Sequence, residues 1–114
     1  MNRFATMVLV TLSMASFGCS DNAGDQSQLT AAERGRKVYL SNCMPCHHDT
    51  PALPGAVGPA IAGSSLELVE ARILYAAYPQ GYTPKKPSRV MPALPHLKDE
   101  IKPLAAYLMA AETR

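Results

Sequence analysis

Residues 43–48 read Cys-Met-Pro-Cys-His-His, and the chain holds three cysteines in all. Two thiols three residues apart on a tight turn share one side, and the next residue adds an imidazole beside them. Cys-x-x-Cys-His is the attachment pattern of a c-type haem. The two sulfurs reach the vinyl groups on one edge of the porphyrin, and the imidazole turns to the iron as its proximal ligand. This reading assigns Cys43 and Cys46 to covalent attachment and His47 to the iron. Three other chemistries use similar residues. A thioredoxin-like redox pair needs a βαβ neighbourhood, and no strand pattern surrounds the motif. A structural zinc site usually needs four ligands, and only His48 and His96 remain to complete one. A plain disulfide leaves His47 without a purpose.

A six-coordinate iron needs a second ligand. Met91, in Arg-Val-Met-Pro-Ala-Leu-Pro, lies 44 residues after His47. Pro92 pushes Met91 towards extended geometry, so the chain can pass the opposite haem face with the sulfur inward. Met44 sits inside the attachment turn and cannot cross to that face. Met109 falls on the last helical stretch, where methionine commonly fills core. His96, five residues further along the same loop, and an open sixth position are the alternatives. Lys85, Lys86 and Arg89 lie just upstream of Met91 and form a candidate positive rim for docking an acidic partner. A merely solvated basic loop is the competing reading. Tyr75, Tyr78 and Tyr82 are candidates to line the pocket or to hydrogen-bond a haem carboxylate.

The elements that must position these groups are helices separated by loops rich in proline and glycine. A capping box, Thr30-Ala-Ala-Glu33, opens the first helix. Ala32, Gly35 and Tyr39 then share a face, and the helix is expected to end near Asn42, just before the motif. A second box, Ser64-Ser-Leu-Glu67, opens another helix with Leu66, Val69, Ile73 and Ala77 inward and Pro79 as its stop. The last helix is expected from Asp99 to Ala111, with Ile101, Leu104, Leu108 and Ala111 inward; Pro103 is comfortable only in a first turn, which leaves the start open. Two irregular stretches, 49–63 and 79–97, hold most of the ten prolines. Loops this long are uncommon in a small domain unless they enclose something.

Length and charge narrow the function classes. At 114 residues there is room for one domain. Residues 1–18 have a short positive start, a run of about a dozen apolar residues too short for the roughly 20 that span a bilayer, and a small-residue exit. This is the layout of a secretory signal peptide. Cys19 follows directly, and the junction resembles a bacterial lipobox with Gly18 in place, although Ser16 stands where leucine is usual. Lipidation of Cys19 is therefore one expectation; ordinary cleavage after Ser16-Phe17-Gly18 is the other. Residues 19–29 have the composition of a flexible polar tether. Without residues 1–18 the chain carries ten Lys/Arg against nine Asp/Glu, a net charge of +1. That excludes a nucleic-acid footprint.

The ordered set Gly35 with Tyr39, then Cys-Met-Pro-Cys-His, then Gly58-Pro-Ala-Ile-Ala-Gly63, then Met91-Pro92, then Leu104-Ala-Ala-Tyr-Leu108 resembles the class I c-type cytochromes, small bacterial monohaem forms in particular. The likeness runs from about Thr30 to Ala111. It implies an all-α cytochrome c fold over residues 30–114, three to five helices with long loops wrapped around one covalently attached haem. It also implies that the carbonyl of Pro59 accepts from the His47 ring, and that the first and last helices cross where Gly35 meets Tyr107. The expected function is electron transfer, without enzymatic turnover, between respiratory or dehydrogenase partners in the periplasm. The alternatives are a haem subunit of a larger dehydrogenase or oxidase complex, and a haem enzyme or gas sensor with an open sixth site.

Overall fold

The computed structural model describes residues 30–113. The expected signal peptide at 1–18, Cys19 and the tether at 19–29 lie outside the described residues. Three α-helices, α1 (Ala31–Asn42), α2 (Leu66–Tyr75) and α3 (Ile101–Glu112), are joined by irregular chain, with one 3₁₀ helix at Pro95–Glu100. There is no strand among the described residues, so the all-α expectation holds.

The first helix starts where its capping box places it. The Thr30 hydroxyl accepts from the Glu33 N–H at 3.2 Å, and the Glu33 carboxylate accepts from the Thr30 N–H at 2.9 Å. The Thr30 N–H, and after it the Thr30 hydroxyl, which donates to the same carboxylate at 2.8 Å, hold the Glu33 carboxyl below the ordinary carboxylate range. Its inward face brings α1 hard against α3. A Cβ added to Gly35 would lie 1.9 Å from the Pro103 carbonyl oxygen and 2.9 Å from the Tyr107 Cβ, so only glycine permits this approach. One turn on, Tyr39 is 0% exposed and its ring sits 5.3 Å from that of Tyr107, tilted by 56°. The tilted geometry is one that aromatic pairs favour. The Tyr39 hydroxyl donates to the His48 carbonyl, which ties α1 to the chain just past the motif. At the rim of the crossing Arg34 makes a two-pronged ion pair with Glu100, at 2.8 and 2.5 Å.

Val69 and Ile73 of α2, Leu97, and Ile101, Leu104, Ala105 and Leu108 of α3 complete the buried cluster. Several expectations need correction. Helix α2 is capped by Ser65, whose hydroxyl accepts from the Leu68 N–H, while the Ser64 hydroxyl donates to the Ile61 carbonyl. The box based on Ser64 is therefore not formed. The helix ends at Tyr75 rather than at Pro79, because Ala76 turns into the left-handed region at φ 51°. Ala77 thus falls outside the helix and is exposed, and Leu66 is exposed as well, so the buried stripe reduces to Val69 and Ile73. The last helix begins at Ile101, two residues later than expected, and residues 99–100 belong to the 3₁₀ turn. Pro103 then occupies the third helical position, where no intrahelical N–H bond is required of it. Ala111 is only half-buried.

Two outcomes follow from this packing. Replacing Gly35 by alanine forces α1 and α3 apart against a backbone oxygen, and chemical denaturation should show a loss near the upper end of the roughly 1–3 kcal/mol typical of overpacking. Burial raises the Tyr39 phenol well above its ordinary value of about 10, with smaller contributions from Tyr107 and Asp49. The fold favours the neutral phenol, so its contribution is complete below about pH 10 and is lost as pH rises through the folded value. The denaturation midpoint should fall steeply above about pH 10 in the native protein. In Tyr39→Phe that fall should be shallower, with a constant cost of about 1 kcal/mol for the lost hydrogen bond at lower pH.

Candidate functional site

The end of α1 delivers the attachment motif. The N–H groups of Cys43 and Met44 donate to the Tyr39 carbonyl, and those of Cys46 and His47 donate to the Cys43 carbonyl. This short continuation of helical turning places residues 43 and 46 on the same side. The two cysteines are not paired in a disulfide. Cys43 is half-buried, and burial, followed by the neighbouring Cys46, pushes its thiol up to about 11.

His47 is the one buried polar side chain among the described residues, 9% exposed. Its Nδ1 lies 2.9 Å from the Pro59 carbonyl oxygen. A carbonyl only accepts, so in the neutral ring the hydrogen sits on Nδ1 and the lone pair is on Nε2. The ring is also seated from below. A Cβ on Gly58 would approach its Cε1 to 2.4 Å and its Nε2 to 2.9 Å. The segment carrying Gly58 and Pro59 is held in turn, because the Val57 and Gly58 N–H groups donate to the Cys46 carbonyl at 3.1 and 2.8 Å.

Beside this imidazole opens an apolar cavity. Its atom-free space, open mouth included, is about 1300 Å³. Cys43, Cys46 and His47 line one side, Leu68, Val69 and Ile73 of α2 and Leu104 and Leu108 of α3 another, and Met91, Pro92 and Leu94 a third. Met91 is carried there by a loop whose far end is anchored, since the Leu94 N–H donates to the Ile73 carbonyl at 2.6 Å. Met44 and Met109 are exposed and, like the exposed His96, are not part of the wall. Of the three tyrosines considered, Tyr78 and Tyr82 line the cavity and Tyr75 stands 71% exposed. Tyr78 and Tyr82 stack at 5.6 Å with an 11° interplanar angle, and the Arg72 guanidinium lies 4.4 Å above the Tyr78 ring. Arg72 went unnoticed in the sequence. It follows Leu68 by four residues and so shares the cavity face of α2, a charged residue on an apolar stripe.

The wall therefore carries Arg72, Lys85 and Lys86 and no carboxylate. Two thiols, an imidazole with an unprotonated nitrogen, a thioether, an apolar lining and a cationic rim fit a flat apolar macrocycle that bears carboxylates and a metal. No group of three or more His, Cys, Asp or Glu side chains is arranged to hold a metal ion by itself among the described residues. Lys85 and Lys86 are at the cavity, their amines bonded to the carbonyls of Ala60 and Val57, whereas Arg89 is exposed and outside the wall.

The family model described as cytochrome C oxidase, cbb3-type, subunit III matches residues 30–108. No curated protein and no solved structure gives a significant match. With most of the chain spanned by that model and the cavity built around Cys43, Cys46 and His47, the protein belongs to this family, as a class I c-type cytochrome with covalently bound haem c that serves electron transfer.

Proposed function

We propose that this protein is an exported single-electron carrier whose iron is held between His47 and Met91. The observation that carries the reading is that both side chains line one apolar cavity together with the two attachment thiols. Cys43 and Cys46 hold the cofactor through their sulfurs. His47 offers Nε2, with Pro59 fixing the tautomer through Nδ1 and increasing the basicity of the free nitrogen. Met91, on the wall of the same cavity, would hold the iron through its sulfur, and an iron held by both His47 and Met91 would leave no position for a substrate. Bound here, haem c supplies a ferrous–ferric couple, and a thioether ligand favours the ferrous side. The aliphatic wall of α2 and α3 keeps water out, while the Arg72 guanidinium and the Tyr78 and Tyr82 hydroxyls suit the acidic substituents of the macrocycle.

Exchange with partners takes place at the cavity mouth, where the charges of Lys85, Lys86 and Arg89 favour a protein with an acidic docking surface. The signal-like residues 1–18 and Cys19 support a periplasmic location, with either a lipid anchor on Cys19 or a soluble form. No helix among the described residues is long and apolar enough to cross a membrane. A second reading is favoured by the family's description as an oxidase subunit. In that reading the protein works as the haem subunit of a larger complex, and co-purification with membrane partners separates it from a free carrier.

Optical spectra of the matured protein test the ligand assignment. The native form should give a sharp low-spin reduced spectrum and the weak ferric sulfur-to-iron band. Met91→Ala should abolish that band and render the ferrous form CO-binding, whereas His96→Ala should change neither. A native protein that binds CO freely would move the enzyme or sensor reading to the front. Gly58→Ala tests the seat of His47. It should destabilise the holoprotein by roughly 1–3 kcal/mol and shift the midpoint potential, because the imidazole must move to admit the new methyl group.

A further inference from the structure

The loop that presents Met91 is poorly supported by its own backbone. Between the Tyr82 N–H, which donates to Pro79, and the Leu94 N–H, which donates to Ile73, no residue makes a backbone–backbone hydrogen bond among the described residues. Two lysines make up the difference. Lys85 Nζ donates to the Ala60 carbonyl at 3.1 Å, and Lys86 Nζ donates to the Val57 carbonyl at 2.8 Å. Their acceptors bracket Gly58 and Pro59, the residues that seat and orient His47. Among the described residues these are the hydrogen bonds that join the segment behind His47 to the segment carrying Met91. Neither lysine is in an ion pair with a carboxylate among the described residues.

We infer that Lys85 and Lys86 form a two-point latch across the cavity mouth, positioning the Met91 loop against the His47 loop. Each ammonium offers three donors on a long stem, so it bridges loops that share no register. Hydrogen bonds from a charged donor are stronger than neutral ones, and the apolar stems cover the rim on the way. The latch ties the His47 side of the cavity to the Met91 side directly rather than only through the helices. It acts on the rate at which Met91 leaves its place, and Lys85 and Lys86 are positioning residues in this sense. Their charge remains available to a partner, so the latch adds to docking and does not replace it.

The inference rests on Met91 being the second axial ligand, and the experiment separates the two. Imidazole is mixed with the ferric holoprotein at saturating concentration and loss of the sulfur-to-iron band is followed by stopped flow; the rate then reports departure of Met91. Imidazole is used because it is largely neutral above its own pKa and is not steered by the lysine charges. Lys85→Met with Lys86→Met should raise the rate about five- to tenfold, the scale of one or two lost hydrogen bonds. Lys85→Arg with Lys86→Arg, which keeps the donors, should restore it to within about twofold of native. Lys102→Met, which removes an exposed lysine on α3 away from the cavity, should leave it unchanged. A double methionine variant that releases Met91 at the native rate overturns the latch. If the double variant fails to mature, the single variants carry the test, each expected to raise the rate two- to threefold, with native rates in both overturning it. A native ferric protein without the sulfur-to-iron band, or one that binds imidazole as fast as Met91→Ala, overturns the ligand assignment before any lysine is changed.

Discussion

The close approach of α1 and α3 at Gly35 is the contact on which the other parts of the molecule depend. A backbone oxygen of α3 occupies the space where a side chain on α1 would be. That contact sets how far the end of α1 projects, and the end of α1 carries Cys43, Cys46 and His47. The same helix pair decides where Leu104 and Leu108 stand, and these form part of the cavity wall opposite the motif. Tyr39 and Tyr107 fill the crossing from one side, and the Tyr39 hydroxyl reaches past the motif to the His48 carbonyl. Helix crossing and cofactor seat are thus one mechanical unit.

The rest of the domain closes around a cavity rather than a packed centre. Only eight hydrophobic side chains are buried among the described residues, few for a chain of this size, and the apolar surfaces of α2, α3 and the Met91 loop face a common open space. Small domains commonly need a cofactor, metal or disulfide to complete their core. Here the covalently held macrocycle serves that need, which explains why a proline-rich loop without backbone–backbone hydrogen bonds over residues 83–93 is tolerated. From that loop Val90, Met91 and Pro92 line the cavity. Prolines also reduce the entropy lost when such loops are ordered.

Electrostatics follow the same division. The His47 tautomer is set by one carbonyl behind it, and the cations of the wall, Arg72, Lys85 and Lys86, meet no acid there. Arg72 is spent partly on the Ala76 carbonyl at the end of α2 and partly on the Tyr78 face. The positive rim is therefore anchored in the fold, and its cations act on the cavity as well as on whatever docks outside.

Some of this was legible in the residues alone, for local reasons. A capping box declares a helix start through hydrogen bonds within four residues, and α1 begins where Thr30 and Glu33 place it. The spacing of Cys43, Cys46 and His47 encodes an attachment turn because both thiols and the imidazole must serve one macrocycle. The buried periodicity of Ile101, Leu104 and Leu108 marked the inner face of α3. The misplaced features were those with competing local solutions. Ser64 and Ser65 can each cap a helix, and only the Ile61 carbonyl next to Ser64 decides between them. Ala76 adopts a left-handed turn that no alanine advertises, so α2 stops short of the proline expected to end it. The inward reach of Lys85 and Lys86 was likewise beyond sequence reading. Long cationic side chains carry no periodic signal, and their acceptors lie 25 and 29 residues away for the lysines. Local chemistry determined the cofactor and the helices of this protein; which loops would meet across the cavity, and through which atoms, was decided only when the helices packed.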